Sequence, residues 1–261
     1  MVEHSVSRGE YADGRTYALP PSWRPLETVV RDVAVERTLA ALGPTKTPGR
    51  SPIERLRSYY DPNGNYAGAL MSTIEPNPVD ELTAADLFAV TTLSMTIPAL
   101  AARRLLDPRD ERRRTIQRRL SEIPYGLPIT SLDSEDTQVV TAKKAMWELH
   151  NEIRTLMAPE TSNSNRWVFA AKLCARKRPW LFPVRDNRVC EYLAANRNLR
   201  RGAGMSQFDN DLQLFGYLMS NNAITDELAR LRRTLEGEGL RLDDTDLRLL
   251  DVVVWTAAQP S

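Results

Sequence analysis

Histidine and cysteine are almost missing from this chain. His4 and His150 are its only histidines, so a histidine-based metal site or a Ser-His-Asp triad would have to use one of them. Cys174 and Cys190 are its only cysteines, and they form no CxxC pair. Two are too few for a four-cysteine cluster or a structural zinc site. No metal and no cofactor are therefore expected. Glycine is sparse, 12 in 261 residues, and neither a phosphate-cradling loop nor a nucleophile elbow is found. No apolar run approaches the ~20 residues that span a bilayer. The opening Met1 to Glu10 holds no apolar signal core. A cytoplasmic protein without membrane contact is expected.

What is present points to a folded helical chain. Hydrophobic residues make up 42% and charged residues 26%, enough apolar side chain for a sizeable core. The net charge of +1 hides an asymmetry. Residues 163–201 carry ten Lys and Arg against Asp186 and Glu191, a local +8, which leaves −7 for the remainder. Such a strip can mark a phosphate-facing surface or an ordinary solvated helix face.

Apolar spacing and breakers divide the chain as follows. Residues 1–25 are polar and proline-punctuated and read as an irregular arm. Leu26 to Leu42 has helical spacing and stops at Gly43-Pro44. Ser51-Pro52 starts a helix through Tyr60, and Asp61-Pro-Asn-Gly-Asn65 is a turn. Tyr66 to Ile74 alternates weakly and is the one strand candidate. Thr83 caps a very apolar helix to about Thr96, with Asp86 in a box arrangement. Further helices follow to Leu106, over 109–120, 139–157, 166–178, 187–198, from Ser206 to 219, from Thr225 to about 237, and from Asp244 or Thr245 onward. Residues 45–50, 125–136 and 158–165 read as loops. The fold class is mostly α, one multi-helix domain in one or two lobes, with at most a small β element near 64–75. Residues 1–50 form an arm and first helix, and 51–261 the helical domain.

Apolar patterning, clustered charge and a lone carboxylate coincide in Trp167 to Leu193. A small-residue helix runs into the basic turn Lys177-Arg-Pro, and Asp186 stands at the start of the next helix. Such an aspartate is a helix cap or a catalytic carboxylate. His150, inside a helix, reads as packed or solvated.

These residues carry a resemblance. Trp167-Val-Phe-Ala-Ala-Lys-Leu followed by Leu181-Phe-Pro-Val-Arg-Asp186-Asn-Arg-Val resembles the core of the helix-hairpin-helix base-excision DNA glycosylases. Ala170 takes the place of the hairpin's alanine, and Asp186 falls sixteen residues on, as in the adenine-excising branch. Leu87-Phe-Ala-Val-Thr-Thr-Leu-Ser-Met-Thr is similar to that family's early core helix. The departures are specific. The hairpin glycines fall on Ser164 and Arg166, the lysine nucleophile's place is Val168, and the early helix has no glutamate. Tyr59 to Gly68, Thr83 to Val90 and Lys172 to Pro179 also look like an actinobacterial domain family of unknown function, over nearly the whole chain after residue 50.

The glycosylase resemblance implies N-glycosidic cleavage of a flipped base, with Asp186 stabilising an oxocarbenium-like state. It implies DNA, or RNA, as partner, held by Arg166, Lys172, Arg176, Lys177, Arg178, Arg185 and Arg188. Tyr59, Tyr60, Tyr66 and Trp180 are candidates to stack on a base. The alternative is a helical module without catalysis that binds nucleic acid or a protein partner, for instance in a defence system.

Overall fold

The computed structural model describes residues 7–20, 23–44, 51–157, 163–194 and 205–259, without the side chains of 163–165 and 205–207. Among these residues the fold has eleven α-helices and one small sheet. They are β1 (Arg8–Glu10), β2 (Thr16–Ala18), α1 (Thr28–Leu42), α2 (Pro52–Tyr60), α3 (Ala84–Thr91), α4 (Ala99–Leu106), α5 (Glu111–Ser121), α6 (Thr137–Leu156), α7 (Asn163–Lys177), α8 (Asn187–Ala194), α9 (Met205–Met219), α10 (Asn222–Gly237) and α11 (Asp246–Ala257). No helix among the described residues is long and apolar enough to cross a membrane.

The caps follow from side chains in the sequence. Ser51 and Thr83 each accept the backbone N–H three residues on, and Glu54 and Asp86 return the bond. Thr245 caps α11 through Arg248 N–H. At α10 the cap is Asn221, whose Oδ1 accepts from Ala223 and Ile224. Thr225, expected to open that helix, lies within it and donates back to the Asn221 carbonyl.

Two expectations about β structure are corrected. The segment 66–74 is not a strand but contains a 3-10 turn, Gly68–Ser72. The sheet lies instead in the segment expected as an irregular arm. There β1 and β2 pair antiparallel, Gly9 opposite Tyr17. Gly14 supplies the turn with φ +85°, where a side chain would be strained. Tyr11 fastens this hairpin to the domain: its hydroxyl donates to the Ile129 carbonyl at 2.9 Å and accepts from Leu132 N–H at 3.0 Å. The expected helix to Thr96 ends at Thr91. The loops 45–50 and 158–162, and the expected end of α8 at 195–198, lie outside the described residues.

Helix α7 is central. Trp167, Phe169, Ala170, Leu173 and Cys174 are buried in one core, with α6 and α3 packed against it. Helix α1 packs on α8 and α9, and α11 on α2 and α8. Both cysteines are free, fully buried, and pushed well above the ordinary thiol range by that burial.

The end of α7 holds three buried cations. Arg176 Nε lies 3.2 Å and Lys177 Nζ 3.3 Å from Asp86, a carboxylate at 0% exposure. Arg176 also donates to the carbonyls of Met71 and Ile74, and Lys177 to Pro78. Arg178 donates to the carbonyls of Leu120, Ile123 and Val79 and pairs with Asp80 at 2.5 Å. Irregular backbone over 71–80 is thus satisfied by α7 side chains.

Removing Asp86 would leave two buried cations unpaired. Asp86→Ala is expected to destabilise the fold by about 3–5 kcal/mol in denaturant unfolding; a loss under ~1 kcal/mol would show that the cations do not need this partner.

His150 packs against Trp167 and Phe208, with ring centroids 4.7 and 4.8 Å away. Burial, then nearby Arg154 and Arg185, lower it from 6.5 to about 3. The unfolded histidine takes up a proton below its ordinary value while the folded one refuses it down to about 3. Stability is therefore retained above that window and falls as pH drops through it, by at most about 1.4 kcal/mol per pH unit for this proton. His150→Leu is expected to flatten the pH dependence of the unfolding midpoint between those limits; an unchanged slope would contradict it.

Candidate functional site

A cavity of about 400 Å³ opens between α2, α7, α8 and α11. One wall is aromatic. Tyr59 at the end of α2 stacks on Tyr66 with centroids 5.6 Å apart and planes at 28°. Trp255 of α11 meets Tyr66 edge-on at 5.7 Å. Tyr66 remains 40% exposed, so an aromatic surface faces the opening. Gly68 permits this approach, because an added Cβ there would collide with the Tyr59 hydroxyl.

Asp186 lines the same cavity. Its Oδ1 accepts from Arg188 N–H at 2.8 Å, a helix-start bond. Its Oδ2 lies 3.8 Å from Lys172 Nζ. The same side chain thus caps α8 with one oxygen and meets a cavity-lining lysine with the other. Lys172, 4% exposed, donates to the Leu93 carbonyl at 2.9 Å. Burial lowers its pKa to about 8, against the opposing pull of the Asp186 carboxylate. The Leu93 carbonyl belongs to a tight turn in which Ser94 has φ +59°, a left-handed conformation that is strained for serine. Leu93 and Ser94 line the same cavity.

Helix α11 adds Arg248, Asp251 and Val252 to the lining. Arg248 Nη2 donates to the Tyr59 hydroxyl at 2.8 Å, and its Nε stands 3.7 Å from Asp243. Asp243 accepts from Tyr60 at 2.6 Å and from Ser72. Asp251 Oδ2 accepts from Val184 N–H at 2.6 Å. Burial raises Asp251 to about 8, although Arg248 pulls the other way. Val184, Arg248 and Asp251 also line a second cavity of about 210 Å³, which holds Trp180 and Tyr125.

The expected site residues therefore separate. Asp186, Lys172, Arg188, Tyr59 and Tyr66 meet at the first cavity. Trp180 belongs to the second, and Tyr60 is buried on Asp243. Most of the basic strip lies inside the protein rather than on its surface. Lys172, Arg176, Lys177, Arg178 and Arg185 are all buried, and Arg185 pairs with Asp211 at 2.6 Å. The donors of Arg176, Lys177, Arg178 and Arg185 face carbonyls and carboxylates inside the protein, and Lys172 faces the Leu93 carbonyl and the cavity. Arg166 is half-buried and Arg188 exposed. The residues that fill the hairpin's glycine positions lie in the first turn of α7. Arg248, Asp251 and Trp255 escaped the sequence reading. Their signal was present: a charged pair spaced by three in the otherwise apolar Leu247–Trp255.

The arrangement brings together a carboxylate, an amine with a lowered pKa, a carboxyl with a raised one, and an aromatic wall. That combination suits a planar ligand and proton transfer.

Comparison with known proteins places this site in a family. No curated protein and no solved structure matches the chain. Residues 52–258 match the family model described as a family of unknown function (DUF6308), from the first residue of α2 through α11. Every residue of the cavity lies inside that span. The chain belongs to this family of unknown function, DUF6308.

Proposed function

We propose that the chain hydrolyses an N-glycosidic bond in the Asp186 cavity, by chemistry like that of the base-excision glycosylases its α7–α8 segment resembles. The observation that carries this reading is the position of Asp186: at the start of α8, one oxygen on backbone, the other beside Lys172, in a cavity that Tyr59, Tyr66 and Trp255 also line. Tyr66 offers a face for the base. The Asp186 carboxylate lies where positive charge on the sugar would be stabilised and where water would lose a proton. Lys172 Nζ stands beside its second oxygen, at 3.8 Å.

The buried strip shapes the substrate side. Of that strip Arg188 is exposed, so the strip makes few phosphate contacts and affinity for nucleic acid has a shallow salt dependence. The same observation favours a second reading, a binding module that holds a base in the cavity without turnover.

The test incubates the full chain with nucleosides and with single- and double-stranded oligonucleotides that carry uracil or hypoxanthine, and measures free base by chromatography. Base release is expected, and Asp186→Asn should lower it roughly 100-fold or more while preserving the thermal midpoint within a few degrees. Full activity in Asp186→Asn would sink the mechanism. Binding of the probes without release would leave the second reading.

A further inference from the structure

We infer that the cavity binds a nucleoside 5′-monophosphate, with the base on Tyr66 and the phosphate on the guanidinium of Arg248. This rests on the N-glycosidic reading and names its substrate class: a free mononucleotide rather than a base flipped from a polymer.

The first observation is an incomplete set of hydrogen bonds. Arg248 stands in a mainly apolar stretch of α11 and is 7% exposed. Its Nη2 donates to the Tyr59 hydroxyl at 2.8 Å. Its Nε is sealed beside Asp243, 3.7 Å away, without a hydrogen bond. Its Nη1 has no hydrogen-bond partner among the described residues and, unlike Nε, keeps accessible surface. Arg176 and Arg178, also buried, have all three nitrogens engaged. A buried guanidinium with open N–H groups is costly unless an acceptor arrives. Arg248 lines the wall that both cavities share, so a ligand can bring that acceptor.

The second observation is charge. Lys172, Arg188 and Arg248 line the first cavity against Asp186 and Asp251. Arg248 lies close enough to Lys172 for its charge to help lower the lysine's pKa. Asp186 meets Lys172, and Asp251, raised by burial to about 8, is largely protonated at neutral pH. Asp243 already accepts from Tyr60 and Ser72. The cavity gathers more positive charge than its own carboxylates cancel, which suits an anion. A phosphate offers several acceptor oxygens to guanidinium N–H groups.

The third is the link between cation and ring. Tyr59 holds Arg248 through its hydroxyl and stacks on Tyr66 through its ring, centroids 5.6 Å apart. Nη1 hangs from the same carbon as the nitrogen Tyr59 holds. A ring face and a phosphate donor are thus joined through one side chain, as base and 5′-phosphate are joined through one sugar. A cavity of about 400 Å³ takes a small ligand whole. Flanking phosphates of a polymer would need a row of exposed cations, and Arg176, Lys177, Arg178 and Arg185 are inside the protein. Under the N-glycosidic reading, water adds its hydroxyl to the sugar carbon, the carbon–nitrogen bond breaks and the base leaves with the proton. The products are free base and ribose 5-phosphate.

Calorimetric titration of the full chain with inosine 5′-monophosphate, inosine and a single-stranded oligonucleotide carrying one hypoxanthine tests this. The monophosphate is expected to bind at least about tenfold tighter than either of the others. Inosine or the oligonucleotide binding as tightly as the monophosphate, or a monophosphate that does not bind, would overturn the inference. In Arg248→Gln the preference for the monophosphate over inosine should fall below about threefold, whereas Arg188→Gln, at an exposed position, should change it by less than about threefold. A preference kept in Arg248→Gln, or lost in Arg188→Gln, would put the phosphate elsewhere and overturn the assignment. Circular dichroism checks that each variant is folded. If Arg248→Gln does not fold, the unmodified protein and Arg188→Gln decide. The parent reading fails separately. Base release without a monophosphate preference sinks the phosphate site and leaves the N-glycosidic reading; monophosphate binding through Arg248 without base release does the reverse.

Discussion

Three cations driven into the protein at the end of α7 hold the rest in place. Arg176, Lys177 and Arg178 have no water to solvate them, so each must find acceptors inside. They find Asp86 on α3 and the carbonyls of 71–80 and 120–123. A helix end already favours positive charge, and here it gathers irregular backbone around itself. That gathering fixes the segment following Gly68 and the loop leading to α3. The Tyr59–Tyr66 wall and the Leu93 carbonyl stand on those two supports.

The same helix carries Lys172, one turn before the cation row, and there the environment changes character. The row is enclosed by carbonyls, whereas Lys172 has one carbonyl, one carboxylate and open space. A single helix face thus passes from structural charge to titratable charge within four residues. Asp86 and Asp251 show the same contrast among acids. The first is neutralised by two cations and a capping bond, the second is buried with one N–H and left short of partners.

Local signals were legible in the sequence and long-range partners were not. Ser51 with Glu54 and Thr83 with Asp86 announce helix starts because both halves of each bond lie within four residues. Asp186 was legible for the same reason, since it follows directly from the Pro183-Val-Arg run into α8. The burial of Arg176 to Arg178 was not, because the acceptors lie about a hundred residues away. A run of arginine reads the same whether water or a folded loop surrounds it. The strand expected at 66–74 failed for a related reason. Its weak alternation competed with a 3-10 turn whose support comes from Arg176 and from the ring of Tyr59 over Gly68.

The cavity draws its walls from opposite ends of the family region: Tyr59 and Tyr66 near its beginning, Arg248, Asp251 and Trp255 near its end. Closing such a loop is entropically demanding and comes late in folding. During synthesis α2 emerges with its aromatic side uncovered, and it stays so until α11 has been made and docks on it. A nascent chain that already contains the entire α7–α8 segment, Asp186 included, still has no pocket. Whatever chemistry the cavity performs begins only when the last helix of the family region arrives.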